Sequence, residues 1–174
     1  MAKKPSGRIR VGVLGQGRSG RNIHTAYLSQ SSRKYQIVAV SDLLKDRRAR
    51  AEEEYGCEAY ADYHDLLARE DIELVVNSLP SHLHPQGTIE ALRAGHHVVC
   101  EKPLAPKVSD IRRMVAASKK AKKVLAPYQQ SRYAPAFQQL QKVIQSGVLG
   151  RIVMIKMAYN GFARRWDWQT LQEF

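Results

Sequence analysis

Short apolar runs rich in β-branched residues alternate along the chain with longer segments in which apolar residues recur every three or four positions. The short runs are typical of strands buried on both faces, and the longer segments are typical of amphipathic helices. A regular succession of the two predicts βαβ units and therefore a parallel sheet. The sequence thus predicts an α/β fold with a doubly wound parallel sheet.

The predicted elements follow one another as far as Pro127. Pro80 ends one strand, because proline cannot donate to a central ladder, and Gly56 and Gly95 cap two helices. The predicted strands are 9–15, 35–42, 58–61, 72–78, 97–101 and 124–126. The predicted helices are 19–30, 45–55, 63–68, 85–94 and 109–120.

The pattern changes after Pro127, where a predicted helix over 135–146 is followed by a predicted strand over 151–160. One face of that strand is mostly apolar and the other is wholly apolar, and a strand needs neighbours to satisfy its edges and cover its faces. We therefore expect residues 1–127 to form one domain. Residues 128–174 are expected to be the linker helix and the first strand of a truncated second domain. The last apolar residues have no predicted core to enter: Trp166, Trp168, Leu171 and Phe174.

The composition is that of an ordinary globular protein, because 44% of the 174 residues are hydrophobic and 25% are charged. No segment approaches the roughly 20 consecutive apolar residues that a membrane span needs. The N-terminal Met-Ala-Lys-Lys-Pro-Ser-Gly also lacks the apolar core of a signal peptide, so we expect a cytoplasmic protein with no membrane partner. Cys57 and Cys100 form no CxxC pair, which predicts two reduced, buried thiols.

The charge is strongly positive, because 28 Lys and Arg against 16 Asp and Glu give a formal net charge of +12. Such a surplus attracts polyanions, and nucleic acid has to be considered as a partner. The basic residues are dispersed, however, and no nucleic-acid-binding motif accompanies them. The lysines within 119–123 also have a simpler explanation, since lysine is favourable at a helix C-terminus. We expect no specific nucleic-acid partner.

A glycine-rich segment lies between the first predicted strand and the first predicted helix: Gly15-Gln16-Gly17-Arg18-Ser19-Gly20. In the dinucleotide-binding fingerprint GxGxxG, the glycines allow a tight turn, the close approach of a pyrophosphate, and helix–sheet packing. Asp42 ends the next strand, near the roughly 20-residue spacing expected of a ribose-binding acid. The alternatives are a glycine turn that only tightens the junction, and a loop or capping role for Asp42.

All of residues 15–20 together with Asp42 are therefore predicted to bind the cofactor. A carboxylate at position 42 accepts hydrogen bonds from both ribose hydroxyls and repels a 2′-phosphate, so NAD is favoured over NADP. Nearby basic side chains could neutralise that phosphate and keep NADP open: Lys45, Arg47 and Arg48.

Glu101, Lys102 and Pro103 come at the end of the predicted strand 97–101. Ligands bind at the carboxyl ends of the strands in a doubly wound sheet, so a lysine there faces a cofactor and can transfer a proton or stabilise an alkoxide. The alternative is a surface Glu–Lys pair before a proline, and spacing alone does not decide between the two. The histidine pairs at 82 and 84 and at 96 and 97 predict no metal site, because no carboxylate or cysteine spacing completes a ligand set.

With these motifs the chain resembles the Gfo/Idh/MocA oxidoreductase family, which includes glucose-fructose oxidoreductase and inositol dehydrogenases. The resemblance spans nearly the whole chain, and the Glu-Lys-Pro element is its most specific part. Beyond the glycine segment, His24 and Asp42, it rests on Asp62-Tyr-His-Asp-Leu-Leu67, Asn77-Ser-Leu-Pro80 followed by His84, Ala91-Leu-Arg-Ala-Gly95-His-His-Val-Val-Cys-Glu101-Lys102-Pro103, Arg132-Tyr-Ala-Pro135 and Ser146-Gly-Val-Leu-Gly150-Arg-Ile152.

The resemblance implies an N-terminal Rossmann NAD(P)-binding domain followed by a C-terminal α/β domain. The open sheet of the second domain would bind substrate and make homo-oligomer contacts in the full-length protein. The family's catalytic Asp and His come from a later helix, which this chain is expected to lack. We therefore expect the 174-residue chain to be inactive alone.

The resemblance also implies roles for single residues. Lys102 would be catalytic, beside the nicotinamide and the reacting hydroxyl, and the peptide before Pro103 would be cis. Gln130 stands where many members have asparagine near the substrate, so Lys102 and Gln130 are the expected substrate-binding residues. The expected nicotinamide-side residues, which complete the cofactor site, are Leu79, Pro80, His84, Glu101, Lys102 and Pro103.

The expected function is therefore an NAD(P)-dependent oxidoreductase acting on a secondary alcohol of a sugar, an inositol or a related polyol. This chain would carry mainly the cofactor-binding half. A non-catalytic dinucleotide-binding module, acting as a sensor or scaffold, is the second interpretation, and Lys102 speaks against it because binding alone does not need that side chain. A basic polyanion-binding protein is the third.

Overall fold

The computed structural model describes residues 7–158 and 160–162. Its centre is a 6-stranded parallel sheet with the strand order β3-β2-β1-β4-β5-β6. This confirms the predicted α/β fold with a doubly wound parallel sheet. The strands are β1 Ile9–Leu14, β2 Tyr35–Ser41, β3 Glu58–Tyr60, β4 Leu74–Asn77, β5 His97–Cys100 and β6 Leu125–Pro127.

Among the described residues, five helices connect successive strands, a sixth follows the last strand, and all lie close to their predicted positions. They are α1 Ala26–Gln30, α2 Lys45–Tyr55, α3 Tyr63–Leu67, α4 His84–Arg93, α5 Val108–Ala121 and α6 Pro135–Gln145. Short 3₁₀ turns cover Ser81–Leu83 and Gln130–Tyr133. Local chemistry explains two of the ends: the Asp62 side chain caps α3 by accepting from the His64 N–H, and Gly56 ends α2 in the left-handed region, with φ 60°.

The first turns after β1 differ from the regular α-helix that the sequence predicts. Residues Gly20–Thr25 form a π-helical segment that leads directly into α1. The hydroxyl of Thr25 lies 3.1 Å from both the Gly20 and the Arg21 carbonyl oxygens. A hydroxyl that bonds back to the preceding turn competes with the backbone ladder. Such π-helical turns are frequent at functional sites.

Two sets of buried apolar residues cover the two faces of the sheet. Along β1, Val11 and Val13 belong to one set and Leu14 to the other, as alternation of side chains in a strand requires. Gly12 leaves space for the Leu66 side chain on the second face, since a Cβ at position 12 would lie 2.8 Å from Leu66 Cδ2. Cys57 and Cys100 are both buried and free of disulfides, as predicted.

The chain divides into two compact units, Met1–Gln129 and Gln130–Phe174. The predicted strand over 151–160 is wrong for the described residues, where 151–158 and 160 form no strand. Its apolar side chains are exposed, with Val153 at 85% and Met154 at 80%, and no other strand lies among the described residues of the second unit to pair with it. The domain boundary after 127 stays a prediction, and Trp166, Trp168, Leu171 and Phe174 lie outside the described residues. No helix within the described residues is long and apolar enough to cross a membrane.

Candidate functional site

The carboxyl ends of neighbouring parallel strands form one edge of the sheet and gather most of the predicted site residues. The glycine segment 15–20 follows β1, Asp42 follows β2, Leu79 and Pro80 come shortly after β4, and Glu101 to Pro103 follow β5. The chain runs from β1 outward through β2 and β3, and then returns to place β4 on the other side of β1. In such sheets the crevice at this topological switch point is where ligands bind.

Two of the three fingerprint glycines are required by the chain's own backbone. Gly15 has φ +85°, and a Cβ on it would lie 2.8 Å from the Ser78 carbonyl oxygen. A Cβ on Gly20 would lie 1.9 Å from the Gly15 carbonyl oxygen. A larger residue at either position would therefore collide with backbone atoms that cannot move aside.

Gly17 is different, because the protein leaves space beside it. A Cβ on Gly17 would meet only the Arg47 Nη1 atom, at the ordinary contact distance of 3.6 Å. Nothing in the fold therefore demands a glycine here. The middle glycine of the fingerprint is the one that lets a pyrophosphate approach the backbone, and an open cradle at Gly17 fits that use.

The Asp42 carboxylate ties the end of β2 to the glycine segment. One oxygen accepts the backbone N–H of Gln16 at 2.8 Å, and the other accepts that of Leu44 at 2.9 Å. Arg47 Nη1 lies 3.3 Å from the first oxygen, and only 7% of the Asp42 side chain is exposed. The loop role considered for Asp42 is thus real. The predicted ribose contact stays a prediction. The carboxylate has lone pairs that these contacts leave unused and that can accept the ribose hydroxyls.

The segment between Gly15 and Gly20 contains side chains in three settings. The Gln16 side chain is buried, with Nε2 3.5 Å from the Gly15 carbonyl oxygen. Its backbone N–H is donated to Asp42, so Gln16 shapes the loop from within. Arg18 is exposed and Ser19 half-buried, and the predicted cofactor contacts of all three remain predictions.

Polar side chains fasten the loop after β4 to its neighbours. Asn77 is fully buried, and its amide donates to the His84 carbonyl oxygen at 3.1 Å and to the Thr88 hydroxyl at 3.0 Å. The Ser78 hydroxyl lies 2.7 Å from the Leu14 carbonyl oxygen and 2.9 Å from that of Gly15. The loops that follow β1 and β4 are therefore one hydrogen-bonded unit.

Glu101 is a buried carboxylate at the end of β5. It lies 2.9 Å from His24 Nε2 through one oxygen, and accepts the Lys102 backbone N–H at 3.0 Å through the other. Burial acts to raise the pKa of the Glu101 carboxyl, but the hydrogen bonds from His24 and from Lys102 outweigh it, and the pKa lies below its usual range. A surface Glu–Lys pair, the alternative considered for this sequence, is therefore wrong.

Sequence reasoning did not assign a site role to His24 or Tyr128. The Tyr128 ring packs edge-on against His24, with ring centroids 4.6 Å apart. The His24 and Glu101 side chains, 77 positions apart in the chain, meet only once the sheet has formed. His24 is among the residues that carry the family resemblance, and that resemblance was the one sequence signal that pointed to this histidine.

Lys102 is exposed at the edge of the crevice, and its peptide bond to Pro103 is cis, as the resemblance implied. His84, in contrast, is buried: Nδ1 lies 2.7 Å from the Pro103 carbonyl oxygen and Nε2 lies 2.8 Å from that of Leu79. Gln130 is exposed in the second unit, and its substrate contact remains a prediction.

Two surface cavities lie away from this edge, along α4 and α5. The larger has a volume of about 550 Å³ and is lined by Ile89, Arg93, Arg113, Lys120 and three alanines. None of its lining residues lies at the end of a strand or belongs to the glycine segment. Among the residues that the structure describes, no three His, Cys, Asp or Glu side chains are grouped to hold a metal ion.

Comparison with known proteins gives a consistent result. The sequence model of the Gfo/Idh/MocA family, described as an oxidoreductase family with an NAD-binding Rossmann fold, matches residues 9–129. The chain is 33% identical over 150 residues to the inositol 2-dehydrogenase of Salmonella typhimurium, covering 84% of this chain and 44% of that protein. It is 32% identical over 144 residues to the myo-inositol 2-dehydrogenase of Thermotoga maritima, covering 82% and 42%.

Solved structures show the same likeness. The WlbA dehydrogenase from Bordetella pertussis, in complex with NADH and UDP-GlcNAcA, superposes with a TM-score of 0.78 at 34% identity, covering 83% of this chain and 43% of that one. The 3-ketoreductase KijD10 from Actinomadura kijaniata, in complex with NADP and TDP-benzene, gives a TM-score of 0.75 at 30% identity, covering 81% and 43%. The chain thus spans less than half the length of these proteins.

Proposed function

The chain belongs to the Gfo/Idh/MocA oxidoreductase family, and we propose on this basis that it is the cofactor-binding half of an NAD(P)-dependent dehydrogenase. The whole enzyme would act on a secondary alcohol of a sugar, an inositol or a related polyol. The inositol dehydrogenases among the relatives support this substrate class. The observation that carries the proposal is the glycine segment, in which the fold itself requires Gly15 and Gly20 but leaves the space beside Gly17 open.

The strand order supports a division of the crevice among the parts of the cofactor. Asp42, after β2, is proposed to bind the adenine ribose, and the loop after β1 the pyrophosphate, where backbone N–H groups at the start of a helix favour an anion. The nicotinamide half then falls on the side of β4 and β5, which carries Pro80 and Lys102. The bound cofactor supplies a hydride acceptor at the nicotinamide ring.

Lys102 is proposed to bind the reacting hydroxyl and to stabilise the negative charge that develops on its oxygen. An exposed lysine side chain at the edge of the crevice is accessible to substrate. One group that stabilises a developing negative charge contributes roughly 10²–10³-fold to rate. The Glu101 carboxylate accepts the backbone N–H of Lys102 and so fixes the backbone at that position. Gln130 is proposed as an amide that contacts the substrate.

NAD is proposed as the preferred cofactor, with NADP accepted less well. The Asp42 carboxylate opposes a 2′-phosphate, while Arg47, which lies 3.3 Å from it, offsets part of that charge. The full-length protein is proposed to be a homo-oligomer. The exposed apolar side chains of the second unit, among them Val153 and Met154, support association.

The test is an NADH-absorbance assay across inositols and aldoses, run on the 174-residue chain and on a chain extended through the second domain. We expect turnover from the long chain only, because holding substrate in near-attack geometry is worth up to about 7–11 kcal/mol and requires the surface of the second domain. Lys102→Ala in the long chain should lower turnover by roughly 10²–10³-fold while NADH still binds. Binding without turnover in the long chain would contradict the enzyme proposal and favour a binding module.

A further inference from the structure

The His84 ring connects two loops that the chain's topology brings to the same side of the crevice. Nδ1 lies 2.7 Å from the carbonyl oxygen of Pro103, after β5, and Nε2 lies 2.8 Å from that of Leu79, after β4. His84 is only 2% exposed, so solvent does not compete for either contact. The ring therefore spans the two loops that flank the proposed nicotinamide position.

Both contacts of the His84 ring are with hydrogen-bond acceptors. A carbonyl oxygen only accepts hydrogen bonds, so an N–H on either ring nitrogen is directed at the backbone of one of the two loops. With each nitrogen within 2.8 Å of a carbonyl oxygen, the ring fixes how far apart the two loops lie.

His96 makes the same arrangement elsewhere in the fold. Its Nδ1 lies 2.8 Å from the Ile72 carbonyl oxygen and its Nε2 lies 2.9 Å from that of Leu67, and it is also 2% exposed. These residues precede β4 and β5, so His96 lies at the opposite edge of the sheet from the glycine segment. It is a matched control, with the same side chain, burial and bonds but no proposed ligand nearby.

We propose that His84 is a positioning residue that fixes the loop carrying Pro80 to the loop carrying Lys102 and Pro103, and so holds the nicotinamide half of the crevice ready for the cofactor. This inference rests on the proposed function. Two loops joined in advance need not be ordered when the ligand binds, which saves that part of the cost of binding. The adenosine half, at β1 and β2, has its own hydrogen bonds through Asp42 and Gln16.

The test separates the two halves of the cofactor by comparing NADH with ADP-ribose, which lacks the nicotinamide. Calorimetry on the 174-residue chain would measure both affinities for the wild type, His84→Ala and the control His96→Ala. We expect His84→Ala to bind NADH roughly threefold to tenfold more weakly, as one or two lost hydrogen bonds imply, with less than twofold change for ADP-ribose. His96→Ala should lower stability and leave the ratio of the two affinities unchanged.

Variants that keep one of the two hydrogen-bond donors control for a folding defect. An asparagine amide can replace the Nδ1 donor and a glutamine amide the Nε2 donor, so His84→Asn and His84→Gln should each recover part of the NADH affinity. In the wild type, NMR signals of the His84 ring should shift when NADH is added and stay in place with ADP-ribose, while His96 signals stay in place with both. His84 signals that respond equally to both ligands, or to neither, would contradict the proposal even if every variant unfolds.

The outcomes are distinguishable. A wild-type chain that binds neither NADH nor ADP-ribose contradicts the proposed function itself. A wild type that binds both, together with His84→Ala losing affinity for both equally or for neither, overturns the positioning role while leaving the proposed function intact.

Discussion

Replacing Gly17 by alanine separates the needs of the ligand from the needs of the fold. The new Cβ would lie 3.6 Å from Arg47 Nη1, an ordinary contact, and the backbone there is outside the left-handed region. Alanine reduces the entropy of the unfolded chain, which favours the folded state by roughly 0.4–1 kcal/mol. It is a poorer residue than glycine at a helix start, which offsets a similar amount. The free energy of unfolding should therefore change by less than about 1 kcal/mol.

The same methyl group would stand where a pyrophosphate has to approach the backbone. Loss of one hydrogen bond to a charged group costs about 1.5–3 kcal/mol, which corresponds to a dissociation constant roughly tenfold to hundredfold higher. Gly17→Val, which adds more bulk, should abolish binding. Calorimetry with NAD on the folded variants measures the loss, and urea unfolding measures stability.

Gly20→Ala is the matched control for this argument. Its Cβ would lie 1.9 Å from the Gly15 carbonyl oxygen, so it should lower the free energy of unfolding by about 3 kcal/mol or more. A stable Gly17→Ala that binds NAD as tightly as the wild type would refute the assignment of this loop to a pyrophosphate. An unstable Gly17→Ala would show that the fold requires this glycine after all.

Other predictions follow from burial and charge. Burial raises the pKa of the Cys57 thiol to about 11 and that of the Cys100 thiol to about 12, so at pH 8 alkylation should be slow in the native chain and fast in urea. Asp42→Ser should shift the ratio of NADH to NADPH dissociation constants toward NADPH; a wild type that already prefers NADPH would contradict the proposed NAD preference. Burial acts to raise the pKa of Glu101, but its hydrogen bonds, that with His24 foremost, outweigh burial, so folding lowers this pKa. The stability that Glu101 adds to the folded state is therefore complete above the unfolded pKa of about 4.3 and is lost as pH falls through the folded pKa. Glu101→Gln should therefore flatten the acid limb of a stability-versus-pH curve, and an unchanged limb would contradict this assignment.

Much of the fold could be predicted because its signals are local. The apolar runs of β1, β2 and β4 are buried on both faces and therefore stand out in the sequence without any knowledge of their partners. The glycine segment is equally local as a signal, since its three glycines lie within six consecutive residues, although its contacts include Ser78, Arg47 and Asp42 from elsewhere in the chain.

The features that could not be predicted depend on partners distant in the chain. The His24–Glu101 bond and the bridge made by His84 require β1, β4 and β5 to be aligned first, and no periodicity encodes them. The strand predicted over 151–160 failed for the complementary reason. Its run of apolar residues is genuine, but a strand exists only when hydrogen-bonded to a neighbour, and no other strand lies among the described residues of the second unit.

The most direct test of the account is to map the backbone amide NMR shifts of the 174-residue chain as NAD is added. The proposed binding mode predicts that the largest changes fall on residues 15–20, on Asp42 and Leu44, on Leu79 and 81–84, and on Glu101 and Lys102. Changes confined to the cavity between α4 and α5, around Arg93 and Arg113, would contradict it. So would a spectrum that does not change while the chain remains folded.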